Sequence, residues 1–216
     1  LLDTIKDIFK SFSIILFPII NFIENYTFSR AKRISIVSGG FQSYILSKHS
    51  KKTVKIFTNG IDKEFSNQSK FMLSQNKSSR KKILYAGNIG EGQGLDKIIP
   101  KLAKRIEDKA EFIIIGDGGK LKTLKNEMMR ENCKNITFYK PMHREDLIKY
   151  YHQADIFFIH LNDYSAYEKV LPSKIFEYGS FGKPIFGGLS GFAKTFIANE
   201  LPNSYIFKPC SVEEAI

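Results

Sequence analysis

The sequence predicts an α/β protein: a Rossmann-like doubly wound parallel sheet, with a partial second Rossmann-like domain ahead of it. Three observations predict this. From Lys82 onward, six apolar runs rich in β-branched and aromatic residues alternate with five amphipathic stretches of helical period, the pattern of strands joined by crossover helices. One of those runs, Phe112-Ile113-Ile114-Ile115, is apolar without alternation, as suits a strand covered on both faces. Ahead of Lys82 the same signals occur once more in shortened form, as two helical stretches and two strands.

The first helical stretch spans Leu2 to Phe28, with Ile5, Ile8, Phe9, Phe12, Ile15, Leu16 and Ile19 spaced three and four apart. Pro18 is expected to kink or interrupt it, because proline lacks the N–H and crowds the preceding turn. The uncharged run Ser11 to Ile23 is too short to span a bilayer, and no small-residue cleavage site of a signal peptide follows it. It reads either as a helix packed in or between domains, or as an amphipathic helix lying on a membrane surface. A strand follows at Arg33–Ser38, then a Gly39-Gly40 turn, a helix near Phe41 to Ser47, and a strand at Thr53 to Phe57 that ends in the turn Thr58-Asn59-Gly60-Ile61-Asp62. Polar residues dominate from Ser66 to Lys82 and predict a linker. The organisation expected is thus residues 1–65 from one domain, 66–82 as linker, and 83–216 as the second domain.

In that second domain the strands are expected at Ile83–Ala86, Phe112–Ile115, Ile136–Tyr139, Ile156–Leu161, Pro184–Phe186 and Tyr205–Phe207. The helices between them are expected near Leu95–Ile106, Leu121–Glu131, Arg144–Tyr151, Ser173–Phe181 and Phe192–Ala198. The end, Ser211-Val212-Glu213-Glu214-Ala215-Ile216, reads as the first turn of another helix, a serine cap followed by acids. With no initiator Met, the chain is expected to be a fragment, cut at its C-terminus as well.

The charge is unevenly placed. The 216 residues hold 33 Lys and Arg against 22 Asp and Glu, a net of +11. Residues 1–82 hold 15 and 5 of these, a net of +10, which leaves +1 for residues 83–216. A surplus of this size points to an anionic partner. Basic residues without a recognisable reader motif argue against nucleic acid. Beside the apolar helix they suit an anionic membrane surface, reached through residues 1–82. Two cysteines, Cys133 and Cys210, make no disulfide framework. Neither has a neighbouring Cys or His at ligand spacing, and no acidic cluster suggests a bound metal.

Ligands of doubly wound sheets bind beyond the carboxyl ends of the strands, so the loops there are the candidates. After the first strand of the second domain comes Gly87-Asn88-Ile89-Gly90-Glu91-Gly92-Gln93-Gly94, which lets backbone amides approach a phosphate at a helix start. Gly90-Glu91-Gly92 partly matches a dinucleotide fingerprint, but the third glycine comes one residue early, at Gly94. After the second strand comes Gly116-Asp117-Gly118-Gly119, where Asp117 could hold a ribose or cap the next helix. After the fourth comes Glu168-Lys169-Val170-Leu171-Pro172-Ser173-Lys174-Ile175-Phe176-Glu177. Pro172 suits a helix start, and Ser173 and Lys174 in the first turn suit a diphosphate. Glu177, one turn on, faces the same side and can accept a ribose diol, unless it merely pairs with Lys174. Among the histidines, His143 and His152 read as solvated, and His160 alone as pointing toward a cleft.

In their order and spacing, Tyr85-Ala86-Gly87-Asn88-Ile89-Gly90, Ile114-Ile115-Gly116-Asp117-Gly118, Ala154-Asp155-Ile156, Pro172-Ser173-Lys174-Ile175-Phe176-Glu177-Tyr178 and Gly182-Lys183-Pro184-Ile185 resemble the C-terminal donor domain of a GT-B glycosyltransferase. More narrowly they are similar to the retaining family 4 enzymes of bacterial surface-polysaccharide assembly, the fucosamine-type transferases included. Ile34-Ser35-Ile36-Val37-Ser38-Gly39-Gly40-Phe41 through Asn59-Gly60-Ile61-Asp62 resembles the last part of the acceptor-side domain.

The resemblance implies a site for a UDP-linked sugar between two Rossmann-like domains. In it Glu177 would hold the ribose. Gly90 to Gln93, with Ser173 and Lys174, would hold the diphosphate, next to Gly87 and Asn88. Gly116, Asp117 and the backbone near Met142 would border the base. It also implies no divalent metal or other cofactor, transfer with retention of anomeric configuration to a lipid-linked or saccharide acceptor in capsule or O-antigen synthesis, and a place in the bacterial cytoplasm on the inner face of the membrane. Two departures stand out. The family often has an Arg and a Lys in the first loop, where Asn88 and Gln93 stand here. The family pairs two glutamates eight residues apart, but that spacing back from Glu177 falls on Lys169, which leaves Glu168 as a weak catalytic candidate. A nicotinamide-dependent Rossmann enzyme and a non-catalytic sugar-nucleotide module are the alternatives.

Overall fold

The computed structural model describes residues 13–66 and 80–216. The elements, in order, are α1 (Ser13–Arg30), β1 (Arg33–Ile36), α2 (Gln42–Lys48), β2 (Thr53–Ile56), α3 (Lys63–Ser66), β3 (Lys81–Ala86), α4 (Leu95–Arg105), β4 (Ala110–Ile115), α5 (Leu121–Arg130), β5 (Ile136–Tyr139), α6 (Arg144–Gln153), β6 (Ile156–His160), α7 (Lys174–Ser180), β7 (Ile185–Gly188), α8 (Gly191–Glu200) and β8 (Ser204–Phe207). Two 3-10 turns, Gly39–Phe41 and Ser165–Lys169, complete the described elements.

The large sheet is parallel throughout, in the order β5-β4-β3-β6-β7-β8. The chain therefore winds outward from β3 to one edge and from β6 to the other, and the strand order reverses between these two. Side chains alternate across the sheet. Leu84, Ala86, Ile113, Ile115, Phe157 and Ile159 face one core with Tyr151 of α6, Ile175 and Tyr178 of α7, and Ala193 and Ile197 of α8. Ile83, Tyr85, Phe112, Ile114 and Phe158 face the other, against Leu95, Ile98, Ile99 and Leu102 of α4 and Leu124 of α5. That double cover is why Phe112–Ile115 shows no alternation.

The smaller unit pairs β1 with β2 in parallel and has its own core of Ile34, Ile36 and Ile45. It meets the large sheet at two places. Ser38, 1% exposed, donates through Oγ to the Lys169 carbonyl at 2.5 Å. Below it, Asp62 pairs with Arg144 at 2.7 Å, and Phe65 of α3 stacks on Tyr151. Phe65 thus belongs to the core of the large sheet.

Several sequence expectations change. The first helix continues through Pro18 to Arg30, and its expected start at Leu2 lies outside the described residues. On it Ile19, Phe22, Ile23 and Tyr26 are exposed. Lys81 and Lys82 are strand residues, not linker, since they pair with Ala110 and Glu111. Most of the expected linker, residues 67–79, lies outside the described residues. The last residues form a turn, in which the Ser211 hydroxyl accepts from the Glu214 amide at 3.3 Å.

Candidate functional site

The loops after β3, β4 and β5 are knitted together by backbone bonds. The Gly87 amide donates to Ile115 at 2.9 Å, Ile89 to Asp117 at 2.7 Å, and Gly116 to Tyr139 at 3.0 Å. Gly116 has φ +154°, and a Cβ there would overlap the Gly87 carbonyl oxygen. Only glycine lets these two loops come so close. Together they form one wall of a cavity of about 340 Å³, lined by Gly87, Asn88, Gly116, Asp117, Met142 and Lys174, with Ala86, Ile115, Pro141 and Leu147 as its apolar part. The volume lies at the lower end of the range of small-molecule sites, roughly 300–1,000 Å³.

Six residues expected in a binding site therefore share one cavity. The other four do not line it. Gly90 and Gln93 bond to each other instead: the Gln93 side-chain oxygen accepts from the Gly90 amide at 3.1 Å and from the Asn88 side-chain amide at 3.0 Å. The amides of Gly87, Ile89 and Gly90 are thus spent within the protein. Ser173 is exposed and precedes α7 without a side-chain capping bond. Glu177, one turn past Lys174, bonds that lysine but is not among the lining residues. Glu168 is exposed on the 3-10 turn, and its carbonyl abuts Gly191.

Lys174 is the only cation among the lining residues. Its ammonium donates to Glu177 Oε2 at 2.7 Å and to the Tyr151 hydroxyl at 3.3 Å. Tyr151 in turn donates to the same Glu177 oxygen at 3.1 Å. Burial pushes the Tyr151 phenol far above its usual value, so it remains a donor. The pairing of Lys174 with Glu177 does form, but as a three-membered group. Its side chains are 30% and 19% exposed, so it is half-sheltered rather than a solvated surface pair. The carboxylate of Asp117 caps its own loop by accepting from the Gly118 amide at 2.7 Å.

Two further tyrosines set the cavity's position. Tyr178, fully buried on α7, accepts from the Ala86 amide at 3.1 Å and so ties the end of β3 to the helix that carries Lys174. Tyr85 reaches past the sheet to donate to the Asn88 carbonyl at 2.5 Å.

His160 does not point into a cleft. It is 1% exposed, its Nδ1 lies 2.6 Å from the Gln93 carbonyl, and its Nε2 accepts from the Cys210 amide at 3.0 Å. This fixes Nδ1 as the protonated nitrogen. Burial lowers its pKa to about 4. His160 therefore anchors the glycine loop from beneath. Beside it, buried Asn162 bonds the Glu91 carbonyl at 2.9 Å, and Glu91 pairs with Lys120 at 2.7 Å. That lysine, and then Tyr164, hold the Glu91 carboxyl below its ordinary range. His152 is not solvated either: its ring packs on Phe181 with centroids 5.3 Å apart, and burial lowers its pKa. Among the described residues no three His, Cys, Asp or Glu side chains gather as they would around a metal ion.

Known proteins resemble this chain in sequence and in fold. The E. coli (strain K12) protein named "Putative colanic acid biosynthesis glycosyl transferase WcaI" is 30% identical over 97 residues, which cover 45% of this chain and 24% of that one. Among solved structures, Anabaena HepE in complex with UDP and glucose matches 85% of this chain and 51% of its own, at TM-score 0.65 and 15% identity. A variant of S. aureus TarM in complex with fondaparinux, α-GlcNAc-glycerol and UDP matches 89% of this chain and 37% of its own, at TM-score 0.70 and 10% identity. The chain thus spans about a quarter of WcaI and about half of HepE. The model of the family described as glycosyl transferases group 1 matches residues 67–216, so the chain belongs to that family, with the fold of the GT-B structures it matches.

Proposed function

We propose that the chain forms the donor-binding part of a retaining, family 4 type transferase that moves a sugar from a UDP-linked donor to a lipid-linked or saccharide acceptor in surface-polysaccharide synthesis. An N-acetylated amino sugar is the proposed cargo. The observation that carries this reading is the cavity beyond β3, β4 and β5, with one ammonium, Lys174, facing three backbone-rich loops. The UDP present with HepE and TarM and the biosynthetic role in the name of WcaI support it. Membership in a glycosyltransferase family sets aside the nicotinamide alternative.

The residues would work as follows. A diphosphate beside Lys174 competes with Glu177 for its ammonium, since a doubly charged group attracts it more strongly. Glu177, still held by Tyr151, then has an oxygen ready for a ribose diol. The apolar part at Ile115, Pro141, Met142 and Leu147 suits the flat face of a base. As the glycosidic bond breaks, charge develops on the leaving diphosphate, where Lys174 stabilises it. The leaving diphosphate would take the acceptor proton on the same face, and no metal is invoked in this scheme.

Thermal melts of the full chain with UDP, GDP, ADP and NAD test the reading. UDP should raise the melting temperature, modestly. A shift with NAD alone, or with none of the four, overturns it. UDP binding without any transfer by a protein that includes this chain would favour the non-catalytic module.

A further inference from the structure

We infer that Ser38 of the smaller unit is a positioning residue for the sugar end of the donor site, acting through the Ser165–Lys169 turn where the two units meet. The inference rests on the donor-site reading above, and its test separates the two.

The Ser165–Lys169 turn follows β6, at the end of the sheet where the glycine loops lie. Its backbone is gripped from two sides, each time at a glycine. A Cβ on Gly40, in the smaller unit, would stand 2.6 Å from the Lys169 carbonyl oxygen and 2.8 Å from its Cα. A Cβ on Gly191, at the start of α8 with φ +55°, would overlap the Glu168 carbonyl oxygen. Neither place has room for a side chain, so residues 168 and 169 are held closely between the two units. On a third side the Tyr167 hydroxyl reaches Gly92 of the glycine loop, where a Cβ would stand 2.6 Å from it.

Ser38 adds the polar half of this grip. It is 1% exposed, and its Oγ donates to the Lys169 carbonyl at 2.5 Å while accepting from the Gly40 amide at 3.3 Å. A buried hydroxyl needs a partner, and this one finds it 131 residues along the chain. The far end of Lys169 is held too. Its ammonium lies over the Tyr44 ring, 5.5 Å from the centroid, and Tyr44 donates to Glu24 of α1 at 2.5 Å. Both ends of Lys169 are thus fixed by the smaller unit.

Helix α7 does not need this support. Leu171, Ile175 and Tyr178 are buried in the core of the large sheet, and Tyr178 bonds the Ala86 amide. Lys174 is therefore placed without Ser38, whereas the turn ahead of Leu171 depends on it. In the donor-site reading the base lies by the loops after β4 and β5, and the diphosphate lies by Lys174. The strand order β5-β4-β3-β6-β7 carries a ligand laid that way on toward the loops after β6 and β7. Those loops are the turn and the approach to α8. The sugar then meets the turn, and Ser38 sets the turn's position without touching the nucleotide.

Titration calorimetry of the full chain tests this with UDP, UDP-glucose, UDP-galactose, UDP-N-acetylglucosamine and UDP-N-acetylgalactosamine. The readout is the affinity of the tightest sugar nucleotide relative to UDP. Ser38→Ala should leave UDP affinity within about twofold and lower that ratio about fivefold, the scale of one neutral hydrogen bond. Ser38→Thr keeps the hydroxyl and should hold the ratio near that of the unaltered chain. If the unaltered chain binds none of the five, the donor-site reading falls and the inference with it. If it binds UDP but no sugar nucleotide, or if the ratio is the same in Ser38→Ala, the inference alone is overturned. An equal fall for UDP and sugar nucleotide in Ser38→Ala also overturns it, since the bond would then serve only the fold. So does a ratio lowered as far in Ser38→Thr as in Ser38→Ala.

Discussion

The Lys174 ammonium lies 2.7 Å from a carboxylate oxygen of Glu177, one helical turn along α7. The pair holds the only cation among the lining residues of the cavity in reserve. It contributes little to stability, because both side chains are partly exposed and such pairs are worth about 0–1 kcal/mol. Its use lies in binding. Replacing Lys174→Met should lower UDP affinity about tenfold or more, the worth of one charged hydrogen bond. The unliganded melting temperature should move by only a few degrees. Titration calorimetry beside a melt checks both. A large drop in stability with UDP binding intact would show that the pair serves the fold.

Gly116 makes a different demand. At φ +154°, with a Cβ that would strike the Gly87 carbonyl, alanine there must push the β3 and β4 loops apart. Strain at such a position costs about 1–3 kcal/mol before any overlap is counted. Gly116→Ala should therefore lower the melting temperature by about 5 °C or more and abolish the UDP-dependent rise. Gly119→Ala, where a Cβ meets open space, should do neither.

The strands of the large sheet were legible because each is an apolar run long enough to cross it. Phe112–Ile115 gained only Ala110 and Glu111 at its start, which pair with Lys81 and Lys82. The backbone half of the candidate site was legible for a similar reason, since glycine-rich loops after consecutive strands must converge at one end of a parallel sheet. Side-chain partners were not. Tyr150 and Tyr151 are adjacent aromatics, and only the phase of α6 turns one of them into the core toward Glu177. The partner that makes His160 structural is an amide 50 residues away, at Cys210. Gln93 was expected beside a phosphate, yet it braces its own loop, and short-range pattern cannot separate the two roles. Which way the apolar stripe of α1 faces was left open, because periodicity gives a stripe but not what it faces.

His160 should make stability depend on pH. Its pKa is about 4 when folded, against 6.5 for the free side chain, because burial disfavours the charged ring. The unfolded chain therefore binds a proton before the folded one does. Stability from this group is complete above pH 6.5 and is lost as pH falls toward 4, by about 3 kcal/mol in all. His152, also lowered by burial, adds in the same direction. Urea melts at pH 7.5, 6 and 5 should show the decline. His160→Gln should be less stable at pH 7.5, and its decline should be shallower. An equally steep decline in that variant would assign the effect to other groups.

Lys183 supports the site from behind. It is 9% exposed, and its ammonium donates to the carbonyls of Tyr151, His152 and Ala154 at 2.8, 2.6 and 2.6 Å. All three of its hydrogens are used. The carbonyls at the end of α6 carry the helix's partial negative charge, so a cation there is stabilised as it stabilises them. Burial nonetheless lowers the Lys183 pKa. Lys183→Met keeps the stem and removes the donors, which leaves three buried acceptors without their partner. The expected cost is about 3–5 kcal/mol, the scale for breaking a buried charged contact. Lys183→Arg should cost less but still measurably, because a planar guanidinium cannot converge on three carbonyls as an ammonium does. Tyr151 gives one of those carbonyls and also holds Glu177. The folded fraction of Lys183→Met should thus bind UDP more weakly, although residue 183 does not line the cavity. Urea melts and calorimetry on the same sample separate the two effects. A loss below about 1 kcal/mol would mean that water can replace the ammonium at all three carbonyls.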